Sequence, residues 1–426
     1  MGWALNIGYA SALTLAAPWI ALRAARTGRY RTGWAQRLLG RVPSLPRENR
    51  PIWVHGVSLG EVQLLRPLIE SLQSQQSVVL STSTLTGMQV AQKSLPRSSP
   101  FYCPLDFTWA VRQTIDRIHP SLIALGELEV WPHLIAAATE QGIPVCIVNG
   151  RLSDRSFRGY RKLNWLLRRT FSKLSMVAAQ DAATAERFCQ LGVPSDRVHV
   201  TGSLKFDNVN ADRNHPEVEH RLRLVGLGTA HRVLVAGSTQ DPEEKAVVAA
   251  VKELLPVYPQ LRLIVVPRHP ERFDEVYQLL LDSGLTVIRR SQLDHAVAAD
   301  RWQILLVDSV GELRWWWGAA ELALVGGSFG KRGGQNMLEP AAYGAKVAFG
   351  PNCSNFREIV QRLLANDAAW QLPSLECLSP WIREQLADPA LGLMRPQRAS
   401  ELIRAHQGAT ERTLALIHSL LETKKQ

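Results

Sequence analysis

A chain of 426 residues with 46% hydrophobic content carries enough apolar side chains for two full α/β domains. Its formal net charge of +11 points to an anionic partner, whether nucleic acid, phospholipid surface or phosphorylated substrate. Five scattered cysteines without a CxxC pair (Cys103, Cys146, Cys189, Cys353, Cys377) argue against a disulfide framework or a zinc site, and for a reducing compartment.

From Trp3 to Leu22 no residue is charged, and the run is about as long as a bilayer-spanning helix, although Asn6 and Pro18 weaken it. Arg23, Arg26, Arg29 and Arg31 follow directly. A cleaved signal peptide carries its positive charge before the apolar core, the reverse of this order. The positive-inside rule leaves the bulk of the chain in the cytoplasm. Residues 1–28 are therefore expected to be a membrane anchor or an interfacial helix.

Beyond Pro43, Pro46 and Pro51, short apolar runs at 52–55, 77–81, 121–125, 144–148, 174–179 and 197–200 read as parallel strands. Helical patterns at 61–73, 107–117, 129–141 and 182–191 alternate with them, predicting a doubly wound α/β sheet. The rhythm stalls over 208–231 and restarts with strands at 233–236, 261–266, 285–288, 303–307, 322–325 and 346–349. This divides the chain into 29–207, a linker at 208–231, a second domain at 232–392, and a long helix within 393–426 expected to pack back toward the first domain. A cleft between two such domains is the default ligand site.

Four strand exits carry candidate chemistry. Strand 52–55 runs into His55-Gly-Val-Ser-Leu-Gly-Glu61, which places a carboxylate where a helix starts. Glu61 there reads either as a general base or as an ordinary cap. Pro267-Arg268 presents a guanidinium suited to phosphate. Val310-Gly311-Glu312 opens a helix after a third strand, and Gly326 to Asn336 is a glycine-rich loop whose amides suit a phosphate. Glu339 beyond it can accept hydrogen bonds from ribose. The loop has neither P-loop nor GxGxxG spacing, so ATP and NAD readings lack support. Elsewhere, Glu127 and Glu129 lie two apart after strand 121–125, and Lys205 closes the first domain. The stretch Arg151, Arg155, Arg158, Arg161, Lys162, Arg168, Arg169 and Lys173 contains one acid, Asp154; it is either a solvated face or a contact for anionic lipid headgroups. Basic strands interleaved with aromatics, the RNA-binding pattern, are missing, and no nucleic-acid partner is expected.

In order along the chain, His55-Gly-Val-Ser-Leu-Gly-Glu61, Ser83-Thr-Leu-Thr-Gly87, Glu127-Leu-Glu-Val-Trp-Pro132, Asn149-Gly-Arg-Leu-Ser153, Gly202-Ser-Leu-Lys-Phe-Asp207, Pro267-Arg-His-Pro-Glu-Arg272, Gly311-Glu-Leu313, Gly326-Gly-Ser328 and Asn336-Met-Leu-Glu-Pro340 make the sequence resemble the 3-deoxy-D-manno-octulosonic acid (Kdo) transferases. The resemblance implies a GT-B glycosyltransferase, with two Rossmann-like domains facing a cleft. It also implies transfer of Kdo, with inversion, from CMP-Kdo to a lipid A precursor of the lipid IVA type. The implied location is the cytoplasmic face of the inner membrane, against anionic lipid. By the same resemblance Glu61 is the general base, and Glu127 and Lys205 stabilise the transition state. Pro267, Arg268, Val310, Gly311, Glu312, Asn336, Met337, Leu338 and Glu339 bind CMP. CMP-Kdo is then a substrate; no cofactor is expected, and no metal is required because Arg268, Lys205 and loop amides can neutralise the leaving phosphate. Two positions depart from the family pattern: Gln240 and Gln335 stand where histidines are usual. A GT-B enzyme acting on another nucleotide sugar (a UDP-sugar transferase or epimerase), or a non-catalytic binder of anionic membrane or nucleic acid, are the alternative readings.

Overall fold

The computed structural model describes residues 2–27, 32–209, 211–388 and 392–422. The chain forms two compact units, Met1–Asn208 with His406–Gln426, and Val209–Ala405.

Unit 1 contains β1 (Ile52–His55), β2 (Val78–Thr82), β3 (Phe101–Tyr102), β4 (Leu122–Gly126), β5 (Val145–Gly150), β6 (Met176–Ala179) and β7 (Val198–Val200). They make one parallel sheet in the order β3-β2-β1-β4-β5-β6-β7. Every residue of β1, β2, β4, β5 and β6 is buried, as continuous apolar runs require when helices cover both faces. The order reverses between β1 and β4, the topological switch point at which such sheets bind ligands beyond the carboxyl ends of the strands.

Unit 2 repeats the plan with β8 (Arg232–Thr239), β9 (Leu261–Pro267), β10 (Val287–Arg289), β11 (Ile304–Leu306), β12 (Leu322–Val325), β13 (Lys346–Phe349) and β14 (Trp370–Gln371). The order β10-β11-β9-β8-β12-β13-β14 is again all parallel, with its switch point between β8 and β12. Two strands, β3 and β14, have no counterpart in the sequence reading; each has two residues, too few to show a period.

Three sequence expectations change. The stretch 208–231 contains the helix Pro216–Leu224, begun by Pro216 in its first turn, and Val218 of that helix is buried in unit 2. A methyl at Gly318 would lie 2.6 Å from Val218, which shows how closely that helix is seated. The C-terminal pattern is two helices, Met394–His406 and Ala409–Glu422, separated at Gly408 with φ +86°. The first belongs almost wholly to unit 2. The second buries Ala409 and Ile417 in unit 1 beside Val62 and Leu65.

The third change concerns the N-terminus. The helix Gly2–Thr27 forms, but among the described residues no helix is long and apolar enough to cross a membrane. Asn6, Tyr9, Ser11 and Thr14 dilute its apolar run. Asn6 is buried: its Nδ2 donates to Thr108 Oγ1 at 2.8 Å and its Oδ1 accepts from Thr108 N at 3.2 Å. Tyr9 donates to Asp106 at 3.3 Å. These polar contacts seat one side of the helix on unit 1, while Trp3, Ile7, Leu15, Trp19 and Leu22 remain exposed. Arg29 and Arg31 lie outside the described residues, as do the side chains of Arg23 and Arg26.

Asp207 carries the return of the chain to unit 1. Its carboxylate accepts from Gly408 N at 2.7 Å and from Thr410 N. Asp207→Ala strands both donors, a loss of about 1–3 kcal/mol each where they are shielded from water. Hydrogen exchange over 409–422 should accelerate in this variant while amides of β8, β9 and β12 keep their protection; unchanged exchange over 409–422 would refute the role.

Candidate functional site

In unit 1 the chemistry gathers at the carboxyl ends of β1 and β4. After His55 the chain turns through Gly56 and Val57, and Ser58 caps the helix Leu59–Gln73. Ser58 Oγ accepts from Glu61 N at 3.5 Å. The Glu61 carboxylate reaches back, Oε2 accepting from Val57 N at 2.8 Å and Oε1 from the Ser58 hydroxyl at 3.3 Å. This is a variant of the capping box, the acid taking the Val57 amide one residue before the cap, and it fixes where the carboxylate points. A methyl at Gly126, the last residue of β4, would lie 3.8 Å from Glu61 Oε2 and 3.0 Å from the His55 carbonyl. Glycine there lets the end of β4 approach the carboxylate closely.

Glu127 follows with φ +53°, and Asn149 at the end of β5 has φ +54°. Non-glycine residues in the left-handed region are strained, and strain of this kind gathers at functional sites. Asn149 Oδ1 accepts from Leu204 N at 3.0 Å, and Asn208 Nδ2 donates to the Leu64 carbonyl at 2.9 Å. These bonds hold the short helix Leu204–Asp207, which carries Lys205, between the end of β5 and the Glu61 helix.

Glu61, Glu127 and Glu129 form one electrostatic cluster. Burial raises the Glu61 carboxyl above its ordinary value; the Val57 amide opposes this, and the charge of Glu127 adds to it. Glu129 is pushed from 4.5 up to about 7, by burial first and then by the charge of Glu61. Neighbouring carboxylates in a shielded site resist joint ionisation, and both shifts run in that sense. Beneath them His55 is fully buried, its Nδ1 2.8 Å from Ser81 Oγ and its Nε2 4.0 Å from Glu129. Burial lowers the imidazole to about 4, so it is neutral at pH 7. From the sequence, Glu129 stands only as half of the Glu127/Glu129 pair and His55 only as the first residue of a motif, neither with an assigned role. The Glu-x-Glu spacing was visible, but only the break at Glu127 decides that Glu129 joins Glu61.

In unit 2 the corresponding edge is built by the ends of β8, β9, β11 and β12. Ser238 has φ +57°, and the β8–β9 register slips between Gly237 and Thr239, a bulge that re-aims the strand exit. Arg268 N donates to the Thr239 carbonyl at 3.1 Å, and the Arg268 side chain is exposed with no partner among the described residues. Val310 is 77% exposed and Gly311 has φ +89°. The Glu312 carboxylate is committed within the protein, accepting from Arg221 Nε and Arg290 Nε, each at 3.1 Å. The 310–312 segment therefore offers a ligand its backbone more readily than its acid. Asn336 Nδ2 donates to Glu339 Oε1 at 3.1 Å, and Asn336 Oδ1 accepts from Leu338 N at 3.1 Å. Met337 and Leu338 are buried, so Asn336 and Glu339 are the polar side chains of that segment.

The glycine-rich loop departs from its expected use. Buried Glu243 accepts from Gln240 N at 3.0 Å, Gly327 N at 2.8 Å, Ser328 N at 3.0 Å and Phe329 N at 3.2 Å. An internal carboxylate thus occupies the nest of amides that the sequence suggested for a phosphate. Among the described residues no group of three or more His, Cys, Asp or Glu side chains is placed to hold a metal ion.

A family model for 3-deoxy-D-manno-octulosonic-acid transferase (kdotransferase) matches residues 32–208. The 3-deoxy-D-manno-octulosonic acid transferase of Haemophilus influenzae is 32% identical over 426 residues, covering 97% of this chain and 98% of that protein. Its counterpart in Bordetella pertussis is 34% identical over 385 residues, 87% of each. Among solved structures, a putative UDP-N-acetylglucosamine 2-epimerase from Listeria monocytogenes is similar with a TM-score of 0.54 at 13% identity, over 88% of this chain and 97% of that one, a likeness of fold alone. The paired Rossmann-like units are of the GT-B type, and the chain belongs to the 3-deoxy-D-manno-octulosonic acid transferase family of glycosyltransferases.

Proposed function

We propose that this enzyme moves Kdo from CMP-Kdo to a hydroxyl of a lipid A precursor of the lipid IVA type, with inversion, at the cytoplasmic face of the inner membrane. The observation that carries the reading is the Glu61 carboxylate, fixed at the switch point of unit 1 by its own capping box and raised in basicity by burial and by Glu127. Glu61 takes the proton of the acceptor hydroxyl as its oxygen bonds to the anomeric carbon of Kdo. The bond from that carbon to the phosphate oxygen breaks, and CMP leaves with the electron pair. Glu127 and Lys205 stabilise the charge that develops, and Arg268 neutralises the departing phosphate. Asn336, Glu339 and the backbone of 310–312 hold the nucleotide, with Glu339 accepting from ribose hydroxyls. CMP-Kdo is a substrate, and the reaction needs no cofactor.

Two surfaces of unit 1 support a membrane location. The exposed Trp3, Ile7, Leu15, Trp19 and Leu22 lie on the Gly2–Thr27 helix, the pattern of an interfacial helix rather than a span. The helices Asp154–Lys162 and Asn164–Phe171 expose Arg155, Arg158, Arg161, Lys162, Arg168 and Arg169 beside an 80% exposed Trp165. Such cations near an anionic surface contribute about 1 kcal/mol each.

Incubation with lipid IVA and CMP-Kdo, read by product mass, should yield the acceptor plus Kdo; no addition would overturn the reading. Glu61→Gln keeps a residue competent for the capping box but removes the base. Its kcat should fall about 10²- to 10⁴-fold while its melting temperature stays near that of wild type. Glu61→Ala should lose activity and also about 0.5–2 kcal/mol of stability through the cap.

Glu129 gives a pH prediction. Its folded value, about 7, lies above the ordinary 4.5, so the stability contributed by its neutral form is complete below about 4.5 and is lost as pH rises to about 7. Glu129→Gln should flatten the decline in melting temperature across that window. An unaltered slope would show that another group titrates there.

For the membrane, Arg158→Ala, Arg161→Ala and Arg168→Ala combined should weaken binding to vesicles containing anionic lipid by about 10²-fold at low salt, and binding to neutral vesicles little. Equal loss on both would exclude an electrostatic contact.

A further inference from the structure

We propose that Gln240 and Gln335 form a paired carboxamide clamp that donates hydrogen bonds to an anionic group of the nucleotide-sugar donor, either its phosphate or its sugar carboxylate. The inference deepens the reading above and rests on CMP-Kdo as donor.

The two glutamines come from different strand exits. Gln240 follows β8, redirected by the bulge and by Ser238, and Gln335 ends the glycine-rich loop that follows β12. β8 and β12 are neighbours, and the switch point of unit 2 lies between them. Gly327, with φ +65°, is where the two meet: a methyl there would lie 3.1 Å from Gln240 Nε2 and 3.7 Å from Gln335 Nε2. Both amide nitrogens therefore reach the same point over the loop.

Gln240 is only 9% exposed, yet its carboxamide has no hydrogen-bond partner among the described residues, and neither does that of half-buried Gln335. Next to Gln240, the wholly buried Thr239 hydroxyl is also unpartnered. Both carboxamides keep their polar atoms open to solvent, so two unspent carboxamides that converge at one strand edge beside an exposed guanidinium offer a polar ligand ready partners.

The neighbourhood selects the sign of that ligand. Glu243 consumes the amides of Gln240, Gly327, Ser328 and Phe329, leaving the loop backbone few donors for an anion. The donors left within reach are the two carboxamide NH₂ groups and the guanidinium of Arg268, whose backbone is tied to Thr239. Arg268 supplies the charge, and the neutral carboxamides supply direction. Amides do not titrate, so this contact holds unchanged across the pH range in which an imidazole would gain or lose its proton.

The test uses Gln240→Met and Gln335→Met, which keep side-chain length and remove the donors, with CMP binding measured by calorimetry and steady-state kinetics in CMP-Kdo. Each variant should raise the KM for CMP-Kdo about tenfold with kcat within about threefold of wild type, and the double variant should cost less than the product of the two because they share one anion. A parallel loss of CMP affinity assigns the clamp to the phosphate; a loss confined to CMP-Kdo assigns it to the sugar carboxylate. Gln335→His should bring in a pH dependence of KM centred near about 6.5 that wild type lacks. A folded double Met variant with wild-type KM and CMP affinity would overturn the clamp. Wild-type protein that fails to turn over CMP-Kdo would instead overturn the proposed reaction.

Discussion

Parallel strand pairing is the constraint on which everything else here depends. A parallel sheet needs a crossover after each strand, and those crossovers cover both faces. No sheet face is left for a ligand, and chemistry is confined to the carboxyl edge where the strands let go. Each unit obeys this with seven strands and one switch point. The residues forced into the left-handed region at Glu127, Asn149 and Ser238 stand at the carboxyl ends of β4, β5 and β8. Others, such as His119 at a helix C-terminus, serve ordinary turns, but these three break the ladder at the edge where the candidate chemistry lies.

Carboxylates do much of the fastening at these edges. Glu243 gathers four amides, Asp207 ties down the start of the last helix, Glu312 joins two arginines, and Glu61 closes its own capping box. Except at Glu312, whose partners are guanidinium groups, the acid accepts backbone N–H groups that would otherwise be left unpaired at a turn or helix start. For Glu61 this removes an apparent choice. Capping and base chemistry are not rival readings of one residue, because the bonds that cap the helix are the ones that orient the carboxylate.

The positive charge divides by task. Arginines paired with acids, such as Arg221 and Arg290 on Glu312, shape loops. Exposed cations such as Arg268 and those of 155–169 face outward from the protein. The first group is spent on structure, and only the second accounts for the anionic partners that the net charge implies.

The parallel architecture, the strand-exit positions of Glu61, Arg268 and the glycine loop, and the family itself were determined by the sequence, because apolar runs, glycine spacing and ordered motifs are local signals. Several features were not legible. The two-residue strands β3 and β14 are too short to carry a period, and the helix Pro216–Leu224 is too polar to stand out from a linker. Only the tertiary structure decided that Glu243 fills the amide nest, that Glu129 joins Glu61 in one electrostatic cluster, and that Gln240 and Gln335 meet over Gly327. Each of these joins residues from different strand exits. A sequence records which groups leave each strand, but which of them meet is set by strand order and by the dihedral angles at the exits, and those are properties of the folded sheet.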